Sequence, residues 1–252
     1  MKVLNRADLS KVEVSPEMLW RLLGHPNPDK VAPALQKTFE QVMETGPGLI
    51  KPAAGYQIFP VKGITPSSVQ VDRVSFESQD LARHFQGAKE MAIFVSTIGL
   101  PLEEEVEKLF AKNNPGLGFF LDIFGSAAVE VVAYQVREII GGEVQARGYR
   151  AMTHGYCIGK TCPAYVDCGG CVTCWWSPGY GDLKTAEQKN LFSLIDGSQI
   201  GVHLSESCMM TPRKSYACLM PVGPQEGKSP DPCDEGEKEW ITMGSLAPGR
   251  SS

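Results

Sequence analysis

The chain has 252 residues, 42% hydrophobic and 21% charged, enough to bury a core as one large domain or two small ones. Twenty-four Lys and Arg against 29 Asp and Glu leave a net charge of −5. Without a basic surplus there is nothing to hold a phosphate backbone, so nucleic acid is not expected as a partner. The first 25 residues contain no apolar core of signal-peptide length, and no uncharged apolar run approaches the ~18 residues a membrane span needs. The expectation is a cytoplasmic protein with no membrane partner, whose eight cysteines read as metal ligands or redox groups before they read as disulfides.

In chain order, Ser15-Pro16-Glu17 is a helix start, with Ser15 as cap and Pro16 in the first turn; this short helix should stop at Gly24. A second helix fits Val31–Met43, ending before Gly46-Pro47-Gly48. Residues 55–77 alternate and hold Ile58, Phe59, Val61, Val69, Val71 and Val74, which predicts short strands with turns around Gly63 and Pro66. Ser78–Gln86 reads as a capped helix closed by Gly87, and Met91–Val95 as a buried strand ended by Gly99. Pro101–Lys112 is amphipathic with Leu102, Val106, Leu109 and Phe110 inward. A long core helix follows from about Leu117 to Ile140, thin at Gly125-Ser126-Ala127-Ala128, where another backbone or a ligand can come close. Residues 141–184 have no periodicity and many Gly, Cys and Pro, the mark of a functional loop or one held by something other than an apolar core. Thr185–Gln188 is a capping box opening a helix to about Ile195, and Ile200–Leu204 with Tyr216–Val222 reads as a final strand pair. The remainder is polar and rich in Pro and Gly.

No cysteine precedes Cys157, and five fall between Cys157 and Cys174. Within them Cys168, Cys171 and Cys174 have the C-x2-C-x2-C spacing that aims three sulfurs at one centre, with Gly169 and Gly170 permitting the turns. Such spacing is typical of [4Fe–4S] loops, in which a fourth cysteine arrives from elsewhere; Cys162, followed by Pro163, is the candidate. A structural zinc site also needs four ligands but usually presents two separated C-x2-C pairs. Iron–sulfur, zinc, and disulfides or free thiols therefore all stay open, as does a second four-thiolate set from Cys157, Cys208, Cys218 and Cys233.

Downstream lie Ser177-Pro178-Gly179-Tyr180-Gly181-Asp182 and Leu204-Ser205-Glu206-Ser207-Cys208-Met209-Met210-Thr211-Pro212-Arg213-Lys214-Ser215. Upstream are Phe94–Gly99 and Asp122–Glu130. Together these resemble the activation (reactivation) domain of vitamin B12-dependent methionine synthase, and more closely the stand-alone bacterial proteins built on it. The resemblance covers roughly 55–222. It implies an α+β fold, a curved antiparallel sheet with helices packed against it, and a role in reductive activation of a corrinoid. It further implies that Glu130, Ser177, Gly179, Tyr180 and Glu206 border a cofactor pocket where family members bind S-adenosylmethionine and face the corrin ring. Two departures stand out. Trp175 occupies the place of the family's arginine that meets the S-adenosylmethionine carboxylate, and tryptophan cannot form that charge-assisted fork. The cysteine block also intervenes between Ala146–Tyr149 and Ser177, at the edge of the implied pocket. Binding of S-adenosylmethionine is therefore in doubt.

Each of these residues also has a plainer reading. Gly179-Tyr180 fits a Pro-Gly turn, Glu130 a core ion pair, Glu206 a strand carboxylate, and His154 a loop histidine. Trp175 and Trp176, if extended, point to opposite sides, and Arg213 and Lys214 read as solvated turn charges before a docking pair. The sequence as a whole divides into an N-terminal helical segment (1–54), an activation-domain-like unit (55–222) with the cysteine insertion at 151–176, and a loose tail (223–252). The expected function is accessory: reductive activation of, or electron delivery to, a corrinoid protein or cobalamin-dependent methyltransferase, with a [4Fe–4S] cluster on Cys162, Cys168, Cys171 and Cys174. No D-x-H-x-x-G corrinoid signature occurs in the chain, so the corrinoid is expected on a partner. The rival readings are an S-adenosylmethionine-binding methyltransferase subunit with structural zinc, and a cluster-bearing electron-transfer subunit that does not act on cobalamin.

Overall fold

The computed structural model describes residues 1–5, 8, 9, 11–24, 31–151 and 175–224. In chain order the elements are β1 (Lys2–Leu4), α1 (Pro16–Leu22), α2 (Pro33–Thr45), β2 (Ala53–Thr65), β3 (Ser68–Val71), β4 (Val74–Glu77), α3 (Gln79–His84) and β5 (Glu90–Thr97). There follow α4 (Pro101–Ala111), α5 (Pro115–Gln145), β6 (Tyr149–Ala151), α6 (Gln188–Leu194), β7 (His203–Leu204), β8 (Met210–Thr211) and β9 (Ser215–Pro224). The main sheet runs β4-β3-β2-β5-β9-β6, with β1 beside the first part of β2; all of its pairings are antiparallel. The fold is α+β, as the sequence implied.

Both faces of this sheet are covered, which explains why Met91–Val95 is a continuous apolar run and does not alternate. Ala92 and Phe94 of β5, with Cys218, Met220 and Val222 of β9, join the core built on α1, α2, α4 and α5. Met91, Ile93 and Val95, with Ala217 and Leu219, join a second core with α3 and α6. At its middle α5 is covered by the sheet and by α4. A Cβ on Gly125 would come within 2.6 Å of Leu102, so the thin stretch foreseen in the sequence is where α4 closes on α5. By length and composition α5 is apolar enough to cross a membrane, but 56% of its most apolar window is buried inside the fold, as a core helix requires.

Local signals fared well where a cap was at stake. Ser15 Oγ accepts from the Met18 amide, and Ser78 Oγ from the Leu81 amide. Gly24, Gly87 and Gly99 take φ of 76–79° after their elements, a region other residues enter at a cost. Four expectations are corrected. Gly63 is not a turn: β2 continues through it, and the register with β3 slips between Val61 and Gly63, as at a bulge. Phe110 is 50% exposed because the inward stripe of α4 is completed by Leu109. Thr185 caps nothing; Thr185–Glu187 is a 3-10 turn with no side-chain cap, and α6 starts at Gln188. The strands His203–Leu204 and Ser215–Pro224 do not pair with each other. The first meets β8 in a two-residue ribbon, and the second lies between β5 and β6.

Candidate functional site

The segment 175–183 lies along the free part of β9's outer edge. Trp176 bridges Leu219 through two reciprocal backbone bonds of 2.7 Å. The extended backbone throws its side chains to alternate faces. Trp175 packs edge-on to Phe94 (5.9 Å) and Tyr134 (5.0 Å) in one core. Trp176 packs against His84 (5.2 Å) and Tyr180 (6.3 Å) in the other. The opposite placement foreseen for the pair holds, and both rings are buried. Ser177 returns to the α5 side, where its hydroxyl lies 3.4 Å from the buried thiol of Cys218.

After Ser177 the chain folds into a tight double turn. The Tyr180 amide donates to Ser177 O, Leu183 to Tyr180 O, and Gly179 to Leu183 O. Gly179 (φ 102°) and Gly181 (φ 53°) supply the left-handed backbone. A Cβ on Gly181 would overlap the Asp80 carboxylate and press on Trp176. Asp182 then anchors the turn on the start of α3, accepting from the Ser78 hydroxyl and from the amides of Gln79 (2.7 Å) and Asp80 (3.2 Å). Burial pulls the Asp182 carboxyl upward, but these donors outweigh it and hold it below the usual aspartate range.

This anchored turn presents Tyr180 to a cluster drawn from three elements. Burial, with the nearby Cys218 and Glu130, pushes the Tyr180 phenol up to about 12. Tyr216, two residues before Cys218 on the same face of β9, is raised by burial and by Tyr180, Glu130 and Cys218. Burial lifts the Glu130 carboxyl on α5 to about 7, only partly opposed by Arg21 of α1. The result is a half-buried site with two neutral phenols and a carboxyl that exchanges its proton near neutrality. Such a site favours a ligand group carrying positive charge, which would draw Glu130 into its anionic form.

Of the residues singled out in the sequence, Glu130, Ser177, Gly179 and Tyr180 thus meet in one region. Glu206 does not join them. It is exposed in the turn between β7 and β8, not on a strand, and it is not among the charges acting on Glu130, Tyr180 or Tyr216. Cys162, Cys168, Cys171 and Cys174, with Cys157, Cys233 and His154, lie outside the described residues. Cys208 and Cys218 are both buried. Among the described residues no group of three or more His, Cys, Asp or Glu is placed to hold a metal ion. On either side of the cysteine block, Ala151 stands opposite Val222 and Trp176 opposite Leu219, so both flanking residues pair along the same edge of β9.

Sequence reading missed Tyr216 and weighed Cys218 only as a metal ligand, although their alternation with Ala217 and Leu219 was a usable signal. It also misread Lys214, which is half-buried and bonds Ser126 (2.8 Å) and Asp122 (2.9 Å); Arg213 is exposed, as expected of a turn charge, and pairs with Glu103 and Glu107. A separate groove of about 340 Å³ is lined by Lys2, Tyr56, Glu90, Glu143 and Arg147. Its charges satisfy one another. Tyr56 (2.6 Å) and Lys2 (3.0 Å) both donate to Glu143, and Arg147 forks onto Glu90 at 2.8 and 2.9 Å.

No protein-family model matches the chain, and no curated protein does. Among solved structures, it is similar to a crystal structure of the MetH reactivation domain bound to AdoHcy. The likeness has a TM-score of 0.48 at 14% identity and covers 77% of this chain. The chain spans 66% of the length of that one, just under two thirds.

Proposed function

We propose that this protein serves the reductive activation of a corrinoid-dependent methyltransferase, docking on a corrinoid carried by a partner. The observation that carries this reading is the Glu130–Tyr180–Tyr216–Cys218 cluster. It is built from two of the four sequence segments that resemble the activation domain of cobalamin-dependent methionine synthase, together with the final strand. The neighbour's MetH domain binds AdoHcy; for this chain we infer a weaker S-adenosylmethionine site. Trp175, in the place of the carboxylate-binding arginine, is buried among apolar rings, and the nearby Arg147 is already forked onto Glu90.

The second half of the proposal is electron delivery. Cys162, Cys168, Cys171 and Cys174 offer four thiolates at ferredoxin-like spacing, a donor set that suits a [4Fe–4S] cluster, whose chemistry is one-electron transfer. The pairing of the flanking residues Ala151 and Trp176 with β9 supports a role for the block near the docking cluster. The chain's own residues then divide the work: the anchored turn and Tyr180 shape the docking face, and Glu130 holds or releases a proton there.

Anaerobic purification with iron and sulfide counts tests the cluster. The account requires about four irons per protein and a brown chromophore lost in Cys171→Ala. Stoichiometric zinc with no iron after anaerobic reconstitution would leave a structural-metal protein, as would a Cys171→Ala variant that keeps its iron.

A further inference from the structure

The groove of about 340 Å³ takes no part in the proposed function, and its volume is at the lower end of small-ligand sites. Four charges line it: Lys2 of β1, Glu90 of β5, Glu143 near the end of α5 and Arg147 just past it. The pairs they form are open to water, with side-chain exposures of 61% and 38% for Lys2–Glu143 and 41% and 21% for Arg147–Glu90. Pairs of this kind add little to stability, so exchanging one partner for a ligand group costs the fold little. Three of the four charges are also held by something besides their partner. The Tyr56 phenol, on a residue only 2% exposed, donates to Glu143 at 2.6 Å. That bond and Lys2 keep the Glu143 carboxyl below the usual glutamate range, an anion at neutral pH. The Lys2 ammonium lies 5.4 Å from the Tyr56 ring centre, and the Arg147 guanidinium 5.7 Å from that of Tyr149, both within cation–π reach.

The two pairs are neighbours, since Glu143 and Arg147 act on each other. The wall therefore carries charges that alternate in sign, Lys2, Glu143, Arg147 and Glu90, and that cancel in sum. This decides the class of ligand. A ligand with a net charge finds no net field to match, and it leaves one wall group without its partner. A dipolar ligand leaves every charge paired, its ammonium facing Glu143 and Glu90 and its carboxylate facing Lys2 and Arg147. Ile58, half-buried in the same lining, gives an aliphatic side chain a surface on which to leave water.

We propose that this groove binds a free α-amino acid as its zwitterion, with an aliphatic side chain against Ile58. The inference is independent of the corrinoid reading. The test is a titration of the full-length protein with L-leucine at neutral pH, followed by calorimetry and by amide NMR shifts. L-leucine should bind at least about tenfold more tightly than 4-methylpentanoate or 3-methylbutylamine, each of which lacks one of its two charges; that is the scale of one charge-assisted hydrogen bond. The shifts should centre on Tyr56–Ile58 and Glu143–Arg147. Glu143→Gln, which removes the anion facing the ammonium, should weaken L-leucine about tenfold. Arg147→Gln, which removes a cation facing the carboxylate, is the second variant should the first not fold, and it should act in the same direction. Either analogue binding as tightly as L-leucine would overturn the proposal, as would no binding of L-leucine at millimolar concentration. Shifts centred on Ser177–Asp182 would also overturn it, because they would place the amino acid at the Tyr180 cluster.

Discussion

Replacing Glu130 by glutamine should make the protein more stable at and above neutral pH. Burial raises this carboxyl from 4.5 to about 7, so between those values the folded chain binds a proton that the unfolded chain has released. Stability therefore falls as pH rises through that window, with a slope of up to about 1.4 kcal/mol per pH unit, and the loss is complete above pH ~7. Integrated over the window, the contribution is about 3 kcal/mol. Glutamine keeps the shape and carries no charge, so Glu130→Gln should remove this term. Urea unfolding at pH 5, 6, 7 and 8 should show the variant gaining on the wild type with each step, by up to about 3 kcal/mol at pH 8. Arg21, whose charge opposes the shift, should have the converse effect: Arg21→Met should deepen the wild-type decline. Parallel pH profiles for wild type and Glu130→Gln, or a variant less stable at pH 8, would refute the picture of a carboxyl held in its neutral form.

Three other outcomes follow from the same geometry. Asp182→Asn should cost about 1–2 kcal/mol, the scale of a helix-capping contact, by weakening the tie between the Ser177–Asp182 turn and α3. Because the native carboxyl is depressed, its contribution is present above the unfolded value of about 3.9 and is lost as pH falls below it, so wild type and variant should converge near pH 2. Calorimetric titration with S-adenosylmethionine should show binding ten- to a hundredfold weaker than in proteins that keep the arginine, the worth of about 1.5–3 kcal/mol for a charge-assisted contact; low-micromolar affinity would contradict the role given to Trp175. Cys233→Ala should leave the iron content unchanged if Cys162, Cys168, Cys171 and Cys174 hold one cluster, and halved iron would point to a second.

What the sequence disclosed depended on how local the cause was. Caps at Ser15 and Ser78 and the stops at Gly24, Gly87 and Gly99 are decided within a few residues, and they appear where the pattern placed them. The opposite faces of Trp175 and Trp176 follow from strand periodicity alone. Gly63 went wrong because a glycine in a strand run signals a bend or a bulge equally well, and only the partner strand decides which. The partner of β9 was misassigned because pairing across more than a hundred residues leaves no trace in either segment. Lys214 looked solvated for the same reason: its partners, Asp122 and Glu103, are some ninety to 110 positions away. The site was half legible. Glu130, Ser177, Gly179 and Tyr180 were singled out by resemblance, whereas Cys218 acts on Tyr180 and Tyr216, and Tyr180 on Tyr216, only through a pairing of β9 that the sequence does not show. Glu206 is exposed in the turn between β7 and β8 and is not among the charges acting on Glu130, Tyr180 or Tyr216.

The central claim is that the anchored turn and its cluster form a face for a partner's corrinoid. The most direct test is a spectroscopic titration of a corrinoid protein from the same organism, held as Co(II), with this protein and a low-potential reductant under anaerobic conditions. The account predicts a change in the cobalt spectrum on mixing and faster formation of Co(I), because a partner shifts a redox state only through differential affinity for it. Tyr180→Ala should lose both effects, and Cys171→Ala should keep the spectral change and lose the acceleration. An unaltered spectrum and rate with every corrinoid protein of that organism, in each cobalt state, would contradict the claim.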